Sequence, residues 1–471
     1  MGATRKFELL DESQTAIVDR EFRTLLAQAS QGLSPVELGL ATADWISHLS
    51  ISPGKRLQLM QSFADKLYQL GIYSVESLFR PEAEGPASGL ERRVQGESWN
   101  RWPFKVLAQA HQTSKDWWKE ATIGVEGVRT ENEILVHAVA DQILDMVSPA
   151  NFPLTNPEVL RATVKERGRN IGRGMKHLAG DVIRGAAVNG LAENDAFEVG
   201  KNLAVTPGKV VFRNALIELL QYSPTTDKVG AEPVLISPAW IMKYYILDLS
   251  PHNSLVKYLV DQGKTVFIIS WKNPEKDDKN VSFEDYVDLG VMEALNAVER
   301  ICPKRGIHGV GYCIGGTLLS IAAAGMARDD DDRLKTLSLF AAQTDFSEAG
   351  EISRFISPSQ LSFLEKLMWR RGYLGSENMG GAFSALRSSD LIYAGMVDRY
   401  LMGKQTAPND LMSWNADGTR MPYRMHIEYL EQLYLHNQLA TNRFKLGGRT
   451  ISLSDIRVPM FVLGTETDHV A

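Results

Sequence analysis

The stretch Ile307-His-Gly-Val-Gly-Tyr-Cys-Ile-Gly-Gly316 decides the reading of this chain, because an apolar strand pattern runs straight into a cysteine flanked by glycines and then into a small-residue helix. Within it, Gly311-Tyr312-Cys313-Ile314-Gly315-Gly316 has the form of a nucleophile elbow with Cys where hydrolases usually carry Ser. Such a turn holds its nucleophile in strained backbone geometry, and the glycines are needed because a side chain there would strike the neighbouring strand or helix. The helix beginning after Cys313 aims its positive end at the sulfur, which favours a thiolate. A dinucleotide-binding loop fails on its own pattern, since the third glycine position after Gly309 and Gly311 holds Ile314. Taken alone, the same residues also fit a buried strand-end cysteine beside an ordinary glycine-rich turn.

Working outward, short β-branched runs alternate with helical patterns from Pro207 onward, which predicts βαβ units and a mainly parallel sheet. Lys209–Arg213 and Ile217–Tyr222 read as an opening antiparallel pair. Pro233–Ser237, Lys264–Trp271, Ile307–Tyr312, Leu334–Ala341 and Val458–Gly464 follow as near-continuous apolar runs, suited to strands buried on both faces. Phe283–Ile301 reads as a helix with Val287, Val291, Leu295, Val298 and Ile301 toward the sheet. The interval Thr344–Ile456 breaks the rhythm. At about 110 residues it far exceeds an ordinary connection, so an inserted cap subdomain over the site is expected. Upstream, residues 1–200 read as mostly helical: Thr130–Val147 places Leu135, Ala138, Val139, Ile143, Met146 and Val147 on one face, Pro149, Pro153 and Pro157 interrupt, and Glu158–Leu191 resumes. The catalytic part is expected over residues 201–471.

The 471 residues are 44% hydrophobic and 23% charged with net charge −6, a globular composition without a global case for nucleic acid. The basic run from Arg161 to Arg184 reads as a solvated helix face in preference to a polyanion or CoA-phosphate site. The acidic run Asp329–Asp332 reads as a loop and not a metal site, because four consecutive side chains do not converge on one ion. The charged start lacks a signal peptide's apolar core, and no run is long enough to span a membrane. Two cysteines, Cys302 and Cys313, suit a reducing cytoplasm, with Cys302 the structural one. Neither metal nor cofactor is expected.

An elbow nucleophile needs a carboxylate and a histidine later in the chain. Asp468, at the carboxyl end of the run Val458–Gly464, is the candidate acid. Among the nine histidines, His308 lies in the elbow strand as a packed side chain, His426 and His436 fall in the cap, and His469 adjoins Asp468, where neighbouring side chains point apart. Backbone N–H groups of Ile314 and of Trp240, in the loop after Ser237, are the expected oxyanion donors.

Together these features resemble the polyhydroxyalkanoate synthases. The resemblance is carried by Ser148–Glu158, Pro238–Leu249, Gly263–Pro274, the Cys313 box, Ser413–Asp417 and Thr467–Val470. It implies an α/β-hydrolase fold with a cap insertion at 344–456, behind a helical N-terminal domain. It further implies polymerisation of (R)-3-hydroxyacyl-CoA with CoA release, Cys313 carrying the acyl group and Asp468 serving as triad carboxylate. His469 matches a family histidine that adjoins the acid and is not the base. The base belongs to a GHxAG-like segment further on, so the chain ending at Ala471 is expected to lack the triad histidine, the last strand and helix, and sustained activity. A homodimer in the cytoplasm, at the surface of polyester granules, completes the implied picture.

The residues support transfer independently of the resemblance. A thiolate attacking a thioester yields another thioester, energetic enough to acylate a hydroxyl, whereas a seryl ester would be less so. Two other readings stay open: a thioesterase or depolymerase of the same fold, marked by release of free hydroxyacid, and a catalytically incomplete granule-associated homologue, marked by binding without CoA release.

Overall fold

The computed structural model describes residues 34–80, 84–87, 89–184, 196–350, 352, 356–376, 378, 392–405 and 409–466. They fall into two compact units, one drawn mainly from Phe197–Gly380 and Ser413–Ala471, the other from Val36–Ala196 and Gly381–Met412. The interval read as a cap thus contributes residues to both.

The first unit is built on a seven-stranded sheet: β1 Gly208–Arg213, β2 Ile217–Tyr222, β3 Val234–Ser237, β4 Val266–Trp271, β5 Ile307–Tyr312, β6 Leu334–Phe340 and β7 Met460–Leu463. In space the strands run β1-β2-β4-β3-β5-β6-β7. β1 and β2 pair antiparallel, β2 meets β4 antiparallel, and every pair from β4 to β7 is parallel. With the elbow directly after β5, this order is that of the α/β-hydrolase fold. Asn214 closes the first hairpin by accepting the N–H groups of Leu216 and Ile217 on its side-chain oxygen.

The apolar runs sort by position in the sheet. β3 and β4 are central and buried on both faces, with Leu235, Ile236, Phe267, Ile268 and Ile269 fully enclosed. β6 alternates, burying Leu334, Leu337 and Leu339 while Lys335 is exposed. β7 lacks the two-sided burial suited to such apolar runs and is an exposed sheet edge. It pairs with β6 alone at the sheet's edge, and all four of its residues are exposed. A run of Met-Phe-Val-Leu looks the same in sequence whether its strand is central or terminal.

Phe283–Ile301 is one continuous helical run with a π-helical middle, Tyr286–Met292. Val287, Val291, Leu295 and Val298 are fully buried, as the spacing predicts, whereas Ile301 at the frayed end is exposed.

The second unit is helical: Pro35–Ser50, Pro53–Phe79, Phe104–Thr122, Thr130–Met146, Pro157–Lys165 and Arg169–Arg184. In Thr130–Met146 only the first half of the expected face is covered. Leu135 and Ala138 are buried, but Ile143, Met146 and Val147 are exposed. The Glu158–Leu191 reading divides in two at Arg167 and Gly168, both at positive φ, and its residues 185–191 lie outside the described ones. Asn156 caps the first piece by accepting the N–H groups of Glu158 and Val159. Of the basic run, Arg173 is ion-paired to Glu166 and also donates to the Gly403 carbonyl. No helix among the described residues is long and apolar enough to cross a membrane.

A segment far along the chain is tied into this unit by a buried charge. Asp181, 2% exposed, accepts two hydrogen bonds from the Arg399 guanidinium, at 2.6 and 2.9 Å, and one from the Tyr400 hydroxyl at 3.1 Å. Asn170 donates from its amide to the Leu401 carbonyl beside them. Removing one member of such a pair strands the other charge. Asp181→Ala should therefore destabilise the helical unit by roughly 3–5 kcal/mol, read as a lowered denaturant midpoint. A loss below about 1 kcal/mol, the level of a surface pair, would contradict the buried-pair assignment.

Candidate active site

Cys313 sits between the end of β5 and the helix Ile314–Arg328, with φ 53° and ψ −135°. That conformation is disfavoured for any residue with a Cβ and persists only where surrounding contacts impose it. Here they do. The Cys313 N–H donates to the Phe340 carbonyl of β6 at 2.9 Å, and the Cys313 carbonyl accepts the Gly316 N–H at 2.8 Å. The glycines are sterically obligatory: a Cβ on Gly315 would lie 2.3 Å from the Pro238 carbonyl oxygen, and one on Gly311 would lie 2.3 Å from the Gly316 Cα. The helix is buried without interruption from Gly315 to Met326, so the sulfur is presented from a rigid platform.

Of the expected oxyanion donors, Ile314 is the first helical residue, and neither its N–H nor that of Trp240 donates to a main-chain acceptor among the described residues. The Trp240 side chain is enclosed, 1% exposed, with ring centroids of Tyr286 at 5.5 Å and of Phe283 and Tyr429 at 5.8 Å. This aromatic cluster fixes the loop that carries its N–H.

Two cap residues whose ionisation a charge on Cys313 would oppose escape sequence reasoning. Tyr429 and Tyr434, about 120 residues beyond the elbow in the cap interval, stack edge to face at 5.5 Å, and the Tyr429 hydroxyl donates to that of Tyr434 at 3.4 Å. Burial holds the Tyr429 phenol well above its ordinary range and pushes Tyr434 up to about 12, and a negative sulfur at Cys313 adds to the shift in each. Both phenols therefore stay neutral, with the Tyr429 proton committed to Tyr434. Their spacing, five residues apart on a helical turn, reads in sequence as ordinary core aromatics.

The remaining candidates sort by environment. His308 bonds to Thr336 at 2.8 Å and to Glu232 at 3.2 Å near the start of β5, the opposite end from Cys313, and is a packed side chain as expected. His436 is exposed at a helix end. His426 is 4% exposed, and its Nδ1 has no hydrogen-bond partner. Cys302 packs against the core at a helix end, where burial pushes its thiol up, and neither cysteine is disulfide-bonded. Two of the four acidic residues are ion-paired, Asp329 with Arg328 and Arg449 and Asp331 with Arg333, which fits a loop. Asp468 and His469 lie outside the described residues.

The family profile "Poly-beta-hydroxybutyrate polymerase (PhaC) N-terminus" matches residues 90–259, and "Poly-beta-hydroxybutyrate polymerase N terminal" matches residues 13–55. The chain is 35% identical over 479 residues to a poly(3-hydroxyalkanoate) polymerase subunit PhaC of Rhizobium meliloti, covering 98% of this chain and 78% of that one. It is 37% identical to the corresponding protein of Rhizobium etli, covering 100% and 76%. A poly(3-hydroxyalkanoate) polymerase of Methylorubrum extorquens is 38% identical over 89% of this chain and 70% of its own. Among solved structures, a proline iminopeptidase of Mycobacterium smegmatis aligns at 12% identity over 56% and 83%, with a TM-score of 0.30, which adds nothing to the strand order.

Two outcomes follow from this environment. Gly315→Ala should lower stability by roughly 1–3 kcal/mol through overpacking against main chain that cannot give way, measured by thermal unfolding, and a neutral result would refute the close approach. His426 is pushed down to about 4 by burial, against about 6.5 when unfolded. Its contribution is thus fully present above pH ~6.5 and lost as pH falls toward 4, by roughly 3 kcal/mol. Unfolding midpoints taken across that window should fall less steeply in His426→Leu than in the parent; identical slopes would show that His426 is not the buried neutral group.

Proposed function

Because the chain belongs to the poly(3-hydroxyalkanoate) polymerase family, we propose that it transfers (R)-3-hydroxyacyl groups from CoA thioesters to a growing polyester through an acyl intermediate on Cys313. The observation that carries this reading is the forced backbone of Cys313 at the β5 elbow. What favours a nucleophile is this φ combined with the position of Cys313 between a parallel strand and the N-terminus of a buried helix.

In the proposed sequence the Cys313 thiolate attacks the thioester carbonyl, forming a new C–S bond. The tetrahedral oxyanion is held by the Ile314 and Trp240 N–H groups, whose lack of main-chain acceptors supports the assignment. The bond to the CoA sulfur then breaks, and CoA leaves as a thiolate that takes up a proton. A 3-hydroxyl of the next unit attacks the acyl-cysteine, loses its proton, forms the ester and returns the Cys313 thiolate. Asp468 is assigned to orient the base that accepts these protons. Tyr434, neutral and accepting from Tyr429, keeps a hydroxyl proton that the leaving sulfur can use. Their origin in the 344–456 interval supports a cap that encloses the reacting groups.

Incubating the protein with 3-hydroxybutyryl-CoA should leave acyl mass on the peptide containing Cys313, together with CoA release. Cys313→Ala should abolish the adduct and lower CoA release by roughly 10³-fold or more. Equal labelling in Cys313→Ala would refute the nucleophile, and stoichiometric free hydroxyacid without polymer would select hydrolysis over transfer.

A further inference from the structure

Two segments far apart in the chain, Pro238–Leu249 and Ser413–Asp417, meet in the first unit. The former begins with the loop that presents the Trp240 N–H. Three main-chain carbonyls of this loop are taken up by groups from outside it. Pro238 accepts from the Trp271 indole N–H at 2.9 Å, Ile241 from the Thr419 main-chain N–H at 3.2 Å, and Lys243 from the Trp414 indole N–H at 2.8 Å. Beside them Met242 and Gly418 form an antiparallel bridge, and the Tyr245 hydroxyl donates to an Asp417 carboxylate oxygen at 2.9 Å. Trp240 is thus bracketed. The last residue of β4 holds the loop before it, and residues 414–419 hold the loop after it.

The holding segment is itself rigid. Trp414 and Asp417 are three positions apart, which puts both on one side of a helical turn. The Asp417 N–H donates to the carbonyls of Ser413 at 3.2 Å and Trp414 at 3.1 Å, so the backbone sets where the carboxylate points. Asn415 and Ala416, between them, are exposed. The Trp414 ring packs against the buried cluster of Leu203, Tyr245 and Leu249. Tyr245 is 3% exposed, and burial together with the Asp417 carboxylate holds its phenol above the ordinary range, so it remains a donor. An oxyanion donor works only where it is fixed at the developing charge, and a misplacement of about 1 Å can cost about 10²-fold in rate. A main-chain N–H on a loop acquires that fixity from the ties of its neighbours.

We propose that Trp414 and Asp417 are positioning residues for acyl transfer: through Lys243 and Tyr245 they clamp the loop after β3, so that the Trp240 N–H meets the oxyanion. The inference rests on the acyl-transfer reading, and its test separates the two. Tyr245→Phe deletes one hydroxyl, Asp417→Leu deletes the acceptor, and Asp417→Asn keeps an acceptor oxygen. In single-turnover acylation of Cys313 by 3-hydroxybutyryl-CoA, Tyr245→Phe and Asp417→Leu should lower the saturating rate about tenfold or more. The half-saturating concentration should stay within about twofold of the parent's, and Asp417→Asn should retain most of the parent's rate. Amide hydrogen exchange in the peptide spanning the loop should quicken about tenfold in Tyr245→Phe, well below its unfolding temperature. A saturating rate equal to the parent's in Tyr245→Phe, or a loss confined to the half-saturating concentration, would overturn the positioning role while leaving acyl transfer standing. Equal losses in Asp417→Asn and Asp417→Leu would overturn it too. If the parent acquires no acyl group, acyl transfer fails, and the exchange comparison still decides: faster exchange in Tyr245→Phe supports the clamp on the loop, and unchanged exchange overturns it.

Discussion

The helix Ile314–Arg328 crosses the carboxyl ends of β3 and β5 at a distance that no side chain permits. A Cβ on Gly315 would meet main chain at Ser237 and Pro238, and one on Gly316 would meet the Ala342 side chain. Because those atoms are missing, the helix lies against the sheet, its first N–H groups face the elbow, and Cys313 is forced into its uncommon backbone state. The buried run Gly315–Met326 then anchors the platform with packing that extends to Leu319, Leu337 and Val298 in one continuous core. Tyr429 and Trp240 belong to that same core. Reactivity and stability thus draw on one set of contacts, and loosening the first turn of this helix would disturb both.

How much of this could be read in the sequence follows from the range of the interactions involved. β5, the elbow and its helix are contiguous, so their periodicity and glycines are visible in ten residues. The burial of Val287, Val291, Leu295 and Val298 repeats along one helix and is equally legible. What depends on distant partners is not. The exposure of β7 goes with its terminal place in the sheet, and Ile143 and Met146 are exposed although Leu135 and Ala138 on the same helix are buried. Tyr429 and Tyr434 come near Cys313 only because the chain returns after a long excursion, and nothing in their own spacing distinguishes them from core aromatics.

Trp240, Phe283, Tyr286 and Tyr429 form one packed aromatic cluster beside the loop that follows β3. The three described cap and strand histidines do not enter it: His308 is engaged by Thr336 and Glu232, His426 is enclosed and uncharged, and His436 is exposed.

The tie between Asp181 and Arg399 has a consequence for the order in which the protein is made. The two residues are 218 positions apart, so at a ribosomal speed of about 5–20 residues per second Asp181 emerges roughly 10–40 s before its counter-charge. Throughout that interval a carboxylate destined for burial stays solvated, and the helical unit cannot finish folding. Strands β1 to β6 are all synthesised in the meantime. The first-made half of this chain is therefore among the last to be completed, and nascent chains stalled between Asp181 and Arg399 should present an unfinished helical surface to the chaperones at the ribosome exit.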